Sequence, residues 1–380
     1  MGQEQSSTAA DLQMLRADRF AAARAAKAEG LPVVGLIGSA IPKELILAAG
    51  AFPFALAPRV EDFSRDSAPM EQDHETDVRS LFLQATSGEF SLCDAIVIAS
   101  TSDAYRYLFQ YLTEMARTGQ GAPLPPIWLF DFLFGDGVAV QRYDGIVLRQ
   151  LADKLSSLGG RPIDNAALEA AIRRTDLVRA ELLRLPALRA SGQLSGPDAM
   201  AAIGVGGLVL PETHQAILQE AIAFAEATPS ATKPRLLIAT AVPLYHDHLH
   251  RAVEMAGMDI VAEDDGWGSR ASGPLIGHGG DLWARLLDYY RIHDASPRQT
   301  YAQRQAWLTQ AMAGPVDGVL FYLPPDDQSF GWRYPTLAAA ANALDKPSLL
   351  IRDESLTAEG RARIASALAQ WTAPRRKARA

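Results

Sequence analysis

The chain has 380 residues, of which 48% are hydrophobic and 21% are charged. This length and composition suit two globular domains and exclude fibrous and disordered proteins. The formal net charge of −8 argues against a nucleic-acid partner, which requires a basic surface. The single cysteine, Cys93, excludes an intrachain disulfide and any site with several cysteine ligands. We expect Cys93 to be a small buried residue.

No segment of the sequence has the pattern of a secretory signal or a membrane span. Residues 11–28 are amphipathic, which predicts a helix within an N-terminal segment of residues 1–30. This segment lacks the apolar core of a secretory signal. No later apolar run reaches the ~18–20 residues that a spanning helix needs. We therefore expect a cytoplasmic protein with no membrane partner.

Residues 31–141 alternate short apolar runs with helical patterns, as in a parallel sheet built from βαβ units. Residues 142–228 have almost no strand signal and predict a helical subdomain, with Asp164 as an N-cap. The alternation returns in residues 229–373, and the basic tail of residues 374–380 is expected to be disordered. The sequence thus predicts an α/β fold: two flavodoxin-like (Rossmann-type) parallel-sheet domains with a helical insert between them. The expected strands are residues 31–37, 53–57, 94–100, 126–132, 235–240, 259–262, 318–323 and 348–352.

Residues 33–50 contain the first candidate site. An apolar run, expected as a buried strand, ends at Gly38 and Ser39. Pro42 and Glu44 then begin a helix. Open α/β sheets bind ligands at such turns, at the carboxyl ends of their strands. The alternative is an ordinary strand-to-helix turn with nothing bound.

Two later turns occupy similar places. Ser102 and Asp103 follow the strand of residues 94–100. Either they contact a ligand or they only cap the helix that begins there. The third turn, residues 321–335, follows another apolar strand and contains the carboxylate of Asp327.

The first turn resembles the N-terminal signature of the 2-hydroxyacyl-CoA dehydratase and benzoyl-CoA reductase family. That signature runs approximately C-[ST]-x-x-P-x-E-[LI]-[IL]-x-A-A-G, and Ser39, Pro42 and Glu44 match it. In the family, the cysteine of this motif ligates an iron–sulfur cluster. Gly38 stands at that position here.

The other two turns extend the resemblance. Ser102 and Asp103 stand at the last two positions of the family's P-x-T-C-D, so that Ser102 replaces a second ligand cysteine. The third turn resembles the family's F-Y-x-x-x-F-C-D-P-x-x-x-E-Y-P. Tyr334 and Pro335 match its final Y-P, and this alignment places Asp327 at the third cysteine. A shift of one residue, to Asp326, is left open.

Two further segments resemble the family. Residues 160–196 are similar to its helical linker, and residues 263–270 to its E-D-x-x-x-G-[SG]-R loop, which ends here at Arg270. Arg270 either contacts a CoA phosphate or pairs with the neighbouring acids. The resemblance thus spans residues 31–352.

The resemblance implies a subunit that has kept the family's scaffold and lost its cluster. Iron–sulfur clusters are held mainly by thiolates, and Gly38, Ser102 and Asp327 offer none, so we expect this chain to bind no cofactor or metal. The family works as pairs of related subunits, in which a cluster-bearing subunit takes an electron from an ATP-dependent activator and passes it to an acyl-CoA thioester. We therefore expect the iron–sulfur cluster in a paralogous partner subunit. The expected substrate contacts of this chain are Ser39, Glu44, Ser102, Asp103, Arg270, Asp327 and Tyr334.

Other functions stay open on these residues. The chain could be a stand-alone acyl-CoA-binding or scaffold protein, or an enzyme that performs cluster-free chemistry on a thioester. The residues also do not distinguish radical dehydration of a 2-hydroxyacyl-CoA from reduction of an aromatic ring.

A pair of histidines gives a separate hint of metal chemistry. On one helix, His246 and His250 would share a face at the i, i+4 spacing that zinc sites use. The alternative is a solvent-facing histidine cluster at the start of a helix. A third ligand would come from Asp247, Asp264 or Asp265.

Overall fold

The computed structural model describes residues 18–59, 75–240, 244–293, 301–325, 327, 330–352 and 357–379. Two four-stranded parallel sheets organise this part of the chain. The first has the strand order β2-β1-β3-β4, and the second has the equivalent order β6-β5-β7-β8. The strands are β1 (Val33–Ile37), β2 (Phe52–Ala55), β3 (Ala95–Ala99), β4 (Ile127–Phe130), β5 (Arg235–Thr240), β6 (Asp259–Glu263), β7 (Gly318–Leu323) and β8 (Ser348–Arg352).

The predicted α/β fold with two parallel-sheet domains is confirmed, and every expected strand is present at its expected place. Helices cover both sheets and also form the segment between them. They are α1 (Ala21–Ala28), α2 (Lys43–Ala48), α3 (Thr76–Thr86), α4 (Asp103–Thr118), α5 (Val138–Gly159), α6 (Asn165–Leu182), α7 (Leu185–Ala190), α8 (Gly196–Gly204), α9 (Pro211–Ala227), α10 (His248–Met255), α11 (Leu282–Ile292), α12 (Tyr301–Ala313), α13 (Tyr334–Ala343) and α14 (Ala358–Arg379).

The first sheet separates two apolar cores, because successive side chains of a strand point to opposite faces. Val34 and Leu36 of β1 pack with α5 on one face. Val33 and Ile37 pack with α1, α3 and α4 on the other face. Burial on both faces explains why the strands of this parallel sheet are continuous apolar runs.

Helix α11 comes late in the chain but packs on the first sheet. Leu282, Trp283 and Leu286 belong to the same buried cluster as Val34 and Phe130. The sequence-based prediction had assigned this helix to the second α/β domain, residues 229–373. The two halves of the chain therefore share a core, which brings residues from both halves to one end of the first sheet.

The ends of the chain differ from the sequence-based expectation. Residues 1–17 lie outside the described part, so the structure covers only the C-terminal portion of the predicted N-terminal helix, as α1. Helix α14 runs to Arg379, so the backbone of residues 374–379 is helical, whereas the sequence predicted a disordered tail over residues 374–380; residue 380 lies outside the described part. Alanine, arginine and lysine, which dominate that tail, are strong helix formers. Within the described residues, no helix is both long and apolar enough to span a membrane.

Candidate functional site

A cavity of about 330 Å³ lies at the carboxyl ends of β1 and β3. The strand order reverses between these two strands, and ligands of open α/β sheets bind at this point. Both α/β domains and the helical insert contribute to the cavity wall. Of the residues that the sequence singled out, the wall contains Gly38, Ser39, Glu44, Ser102, Arg270 and Asp327.

Gly38 has a backbone conformation that disfavours any side chain. Its φ angle is +90°, and a Cβ here would lie 3.2 Å from both Ala99 Cβ and Thr101 Oγ1. The same Cβ would lie 3.3 Å from Cδ2 of Tyr105. A cysteine at this position would therefore carry both backbone strain and close contacts.

Ser102 is the N-cap of α4. Its Oγ accepts a hydrogen bond from the backbone N–H of Tyr105 at 3.1 Å, so the capping interpretation is confirmed. Asp103, the next residue, does not line the cavity: its side chain is 80% exposed and lies 3.8 Å from Arg106. Asp103 therefore contributes nothing to the wall of this cavity, and its contact with the substrate stays a prediction.

Asp327 uses its carboxylate to hold its own turn. Its Oδ1 accepts from the N–H of Phe330 at 2.9 Å, and its Oδ2 accepts from the N–H of Gly331 at 2.7 Å. The alternative position, Asp326, lies outside the described residues. Tyr334 is not in the cavity wall: its ring packs edge-on against Phe321, with 5.1 Å between the ring centroids. Its contact with the substrate stays a prediction.

These three positions do not fit an iron–sulfur cluster. They line one cavity, as the resemblance requires, but Gly38 has no ligand atom, and a side chain there would be strained. The oxygens of Ser102 and Asp327 already accept backbone hydrogen bonds. The donor set is one of hard oxygens, whereas the irons of a cluster prefer thiolates.

Glu44 is fully buried at the start of α2. Its Oε1 accepts from Arg179 at 2.5 Å and from Thr175 at 2.8 Å, and its Oε2 accepts from the hydroxyl of Tyr290 at 2.8 Å. Burial by itself would raise the pKa of Glu44, but the Arg179 guanidinium, together with hydrogen bonds from the backbone and from Tyr290, holds the pKa below its usual value. Glu44 thus joins the first sheet to α6 and α11, and both of its oxygens already accept hydrogen bonds.

Arg270 pairs with an acid rather than pointing freely into the cavity. Its Nη1 donates to Asp264 at 3.1 Å, and Arg304 donates to the other oxygen of Asp264 at 2.7 Å. Burial raises the pKa of Asp264, although both arginines oppose the shift. This arrangement agrees with the pairing alternative for Arg270.

The two histidines do not form a metal site. His246 precedes α10, which begins at His248, so His246 and His250 are not one turn apart on a helix. The Nε2 atom of His250 lies 2.8 Å from Oε1 of Glu263, and Arg189 donates a hydrogen bond to the other carboxylate oxygen of Glu263. Within the described residues, no group of three or more histidine, cysteine or acidic side chains could hold a metal ion. Cys93 is buried, as expected, and burial raises its pKa to about 12.

Several cavity residues were missed at the sequence level. The hydroxyl of Tyr105 lies 3.2 Å from the hydroxyl of Tyr245. The ring of Tyr245 packs edge-on against that of Trp267, with 4.9 Å between the ring centroids. We call Tyr105, Tyr245 and Trp267 the aromatic bridge, because they connect the two α/β domains across the cavity. Thr101 also lines the cavity.

Two of these residues had a weak sequence signal. Tyr105 follows the second turn closely, and Tyr245 precedes the histidine-rich segment. Arg179 had a signal of a different kind, because Thr175, Asp176 and Arg179 place polar groups at helical spacing on one face of α6. Only their contacts with residues distant in sequence show what these side chains do.

The comparisons with known proteins support the family resemblance. The chain matches the family model described as "2-hydroxyglutaryl-CoA dehydratase, D-component" over residues 39–365. The match begins one residue after Gly38 and contains the other two replaced positions. No curated protein matches the chain. Because the family match covers well over half of the sequence, the chain belongs to the 2-hydroxyglutaryl-CoA dehydratase D-component family.

Proposed function

We propose that this chain is the cluster-free subunit of a heteromeric enzyme that acts on an acyl-CoA thioester. In this proposal a paralogous subunit carries the iron–sulfur cluster and receives electrons from an ATP-dependent activator. The present chain supplies a subunit interface and part of the wall around the acyl-CoA. The chemistry is either radical dehydration or ring reduction, as in the family that the sequence resembles.

The observation that carries this proposal is the geometry at Gly38. A serine or an aspartate could in principle be a weak oxygen ligand, but glycine contributes no side-chain atom. The φ of +90° and the neighbouring Thr101 and Tyr105 leave no relaxed place for a replacement side chain. These features support a position whose ligand function is absent.

The preserved fold supports a role beside a related subunit. Glu44 lies in the segment that matches the family signature, and it forms a buried ion pair with Arg179 of the linker-like helix α6. Truncating one member of a buried ion pair is strongly destabilising. The family scaffold is therefore held together by interactions that do not depend on the cluster.

Co-purification with a cluster-bearing paralogue tests the proposal. The two chains are co-expressed without oxygen, the complex is purified through a tag on the present chain, and its iron content is measured. We expect a coloured complex in which replacement of one ligand cysteine of the paralogue by serine removes the iron. The matched changes in this chain, Ser102→Ala and Asp327→Asn, should leave the iron content unchanged.

Two results would overturn the proposal. One is a loss of iron from the Ser102→Ala or Asp327→Asn complex in which both subunits are still present. The other is a chain that is soluble and colourless alone, binds CoA esters, and forms no complex with any cluster-bearing paralogue. The second result would favour the stand-alone acyl-CoA-binding function instead.

A further inference from the structure

Three consecutive acids lie at the carboxyl end of β6 and in the turn that follows it. Glu263, Asp264 and Asp265 are all buried, with exposed fractions of 1%, 3% and 4%. Neighbouring carboxylates repel one another, and each buried one needs a counter-charge in order to stay ionised. The basic side chains around the three acids therefore decide which of them carry charge.

The first two acids have basic partners. Arg189 donates to Glu263 at 2.8 Å, and Nε2 of His250 lies 2.8 Å from the other carboxylate oxygen. Burial by itself would raise the pKa of Glu263, but Arg189 and His250 hold that pKa below its usual value. Asp264 likewise pairs with two arginines.

Asp265 has no such partner. Its Oδ1 accepts from the N–H of Trp267 at 2.7 Å. Its Oδ2 is buried without a hydrogen-bond partner, and no basic side chain pairs with it in the part of the chain that the structure describes. A carboxylate in such a place loses its hydration and gains no counter-charge. Burial, reinforced by the charge of Glu263, raises the pKa of Asp265 to about 8, so Asp265 is a neutral acid at pH 7.

Asp265 also holds the turn of residues 265–270 together. In addition to the hydrogen bond between its side chain and Trp267, its carbonyl oxygen accepts from two backbone N–H groups. These belong to Gly268, at 3.3 Å, and to Arg270, at 3.2 Å. Trp267 lines the cavity, so this turn connects the buried acid to the cavity wall.

The same turn supports the aromatic bridge between the two α/β domains. Trp267 packs against Tyr245, whose hydroxyl meets that of Tyr105. Burial raises the pKa of Tyr105 well above its usual value and also raises that of Tyr245, so neither hydroxyl ionises near neutral pH. A pH-dependent change in the bridge must therefore come from a group beside it.

Acids face the aromatic bridge from two sides. Asp77, in the first turn of α3, and Glu75, just before that helix, act on both tyrosines, whereas Asp265 acts on Tyr245. Negative charge on any of these acids raises the pKa of a tyrosine hydroxyl. Loss of the proton of Asp265 thus adds a charge beside the bridge as well as beside Glu263 and Asp264.

We propose that Asp265 is a proton-dependent latch between the two α/β domains. With its proton, Asp265 fits its buried place beside two other acids and holds the turn of residues 265–270. When the proton leaves to bulk water, the buried carboxylate has no basic partner, and Asp265 turns out towards water. This movement breaks the hydrogen bond to the N–H of Trp267 and loosens the aromatic bridge. The latch does not depend on the proposed function.

The pH dependence of unfolding tests whether Asp265 keeps its proton in the folded chain. Its pKa is about 8 there, against an ordinary value of 3.8, so the unfolded chain releases a proton that the folded chain keeps. The stabilisation by this proton is complete below about pH 4 and is lost as the pH rises to about 8. Urea unfolding of the full chain is measured from pH 5 to pH 8 for the unmodified chain and for Asp265→Asn, whose side chain stays neutral. We expect the ratio of their unfolding equilibrium constants to rise by up to about tenfold per pH unit.

Asp281→Asn is the matched control. Asp281 accepts from the N–H of Trp283, two residues further on, as Asp265 does from Trp267, but Asp281 is exposed. The ratio of unfolding equilibrium constants between the unmodified chain and Asp281→Asn should stay constant over this pH range. A constant ratio for Asp265→Asn as well would overturn the inference, because Asp265 would then be ionised in the folded chain.

A double-mutant cycle on the aromatic bridge tests whether the proton controls the link between the domains. Unfolding of Tyr105→Phe, Tyr245→Phe and the double variant gives the coupling factor between the two hydroxyls. We expect a factor of about five at pH 6 and a factor close to one at pH 9. With Asp265→Asn added to every member of the cycle, the factor should be the same at both pH values.

The first of these two cycles leaves Asp265 unchanged, so it tests the latch even when Asp265→Asn fails to fold. Equal coupling at pH 6 and pH 9 in that cycle would overturn the latch, because the ionised acid would then stay in place. A loss of coupling at pH 9 that persists with Asp265→Asn would also overturn it, because another group would then control the bridge.

Discussion

The hydroxyl of Tyr105 lies 3.2 Å from that of Tyr245, although 140 residues separate them in the chain. Tyr105 belongs to α4 of the first α/β domain, whereas Tyr245 precedes α10 of the second. The pair therefore links the two domains at the cavity where the replaced ligand positions lie.

Removing either hydroxyl should reveal this connection. Tyr105→Phe and Tyr245→Phe should each lower the free energy of unfolding by about 1 kcal/mol, and the double variant should cost less than the sum of the two. Denaturant unfolding of the three variants measures the coupling. Tyr143→Phe, at an exposed tyrosine, is the control and should change the free energy of unfolding by less than about 0.5 kcal/mol. Strict additivity would contradict the pairing.

A side chain at Gly38 should destabilise the protein. We expect Gly38→Ala to lower the free energy of unfolding by about 1–3 kcal/mol, because the residue combines positive φ with close neighbours. Gly30→Ala is the matched control, since Gly30 has a φ of +85° but nothing within 4 Å of the position of its Cβ. The difference between the two variants measures the crowding by Ala99, Thr101 and Tyr105. Equal costs would show that crowding is absent.

Restoring all three cysteines should not restore a cluster. The Gly38→Cys/Ser102→Cys/Asp327→Cys variant should bind only background iron after anaerobic reconstitution. The backbone at position 38 would be strained by a side chain, and the hydrogen bonds that Ser102 and Asp327 accept from backbone N–H groups would be lost. Iron analysis and the visible absorption spectrum measure this. A stoichiometric cluster in the folded variant would contradict the geometry at Gly38.

Neutralising Glu44 should be costly. Glu44→Gln should lower the free energy of unfolding by about 3–5 kcal/mol, because it leaves a buried arginine without its main counter-charge. The surface pair of Arg174 and Glu212 is the comparison: both side chains are partly exposed, and Glu212→Gln should cost less than about 1 kcal/mol. Urea unfolding at pH 7 measures both variants. Similar costs would show that the Glu44–Arg179 pair adds nothing beyond a surface contact.

The same pair should make stability depend on pH. Burial opposes ionisation of Glu44, but Arg179 holds its pKa below the usual 4.5. The ion-pair stabilisation is therefore present above about pH 4.5 and is lost as the pH falls through the lower pKa of the folded state. As the pH is lowered from 5 to 3, the free energy of unfolding should fall more steeply for the unmodified chain than for Glu44→Gln. The difference in slope should correspond to roughly one bound proton.

His214 should add a pH dependence at higher pH. Burial lowers its pKa from 6.5 to about 4, so the unfolded chain binds a proton that the folded chain excludes. Stability should fall by up to about 1.4 kcal/mol per pH unit as the pH drops from about 6.5 to about 4. His214→Asn should remove this part of the slope, whereas His278→Asn, at an exposed histidine, should leave it. An unchanged slope in His214→Asn would mean that His214 protonates freely in the folded state.

The local features of the fold could be predicted because they depend on nearby residues. The apolar runs at residues 33–37 and 318–323 predict buried strands, and Ser102 predicts the start of α4 through its capping oxygen. The same reasoning placed Asp103 and Tyr334 in the site. The structure turns Asp103 towards Arg106 and packs Tyr334 on Phe321, and neither orientation can be read from the local sequence.

The residue pattern alone predicts the alternation of strands and helices, and a single cysteine, Cys93, leaves this chain without the thiolates that a cluster needs. The packing of the folded chain brings α11 onto the first sheet, Glu44 to Arg179 across 135 residues, and Tyr105 to Tyr245. Strand and helix preferences arise from the backbone and from neighbouring side chains. Contacts between distant residues depend instead on how whole elements pack, and this packing determines which polar groups face the cavity.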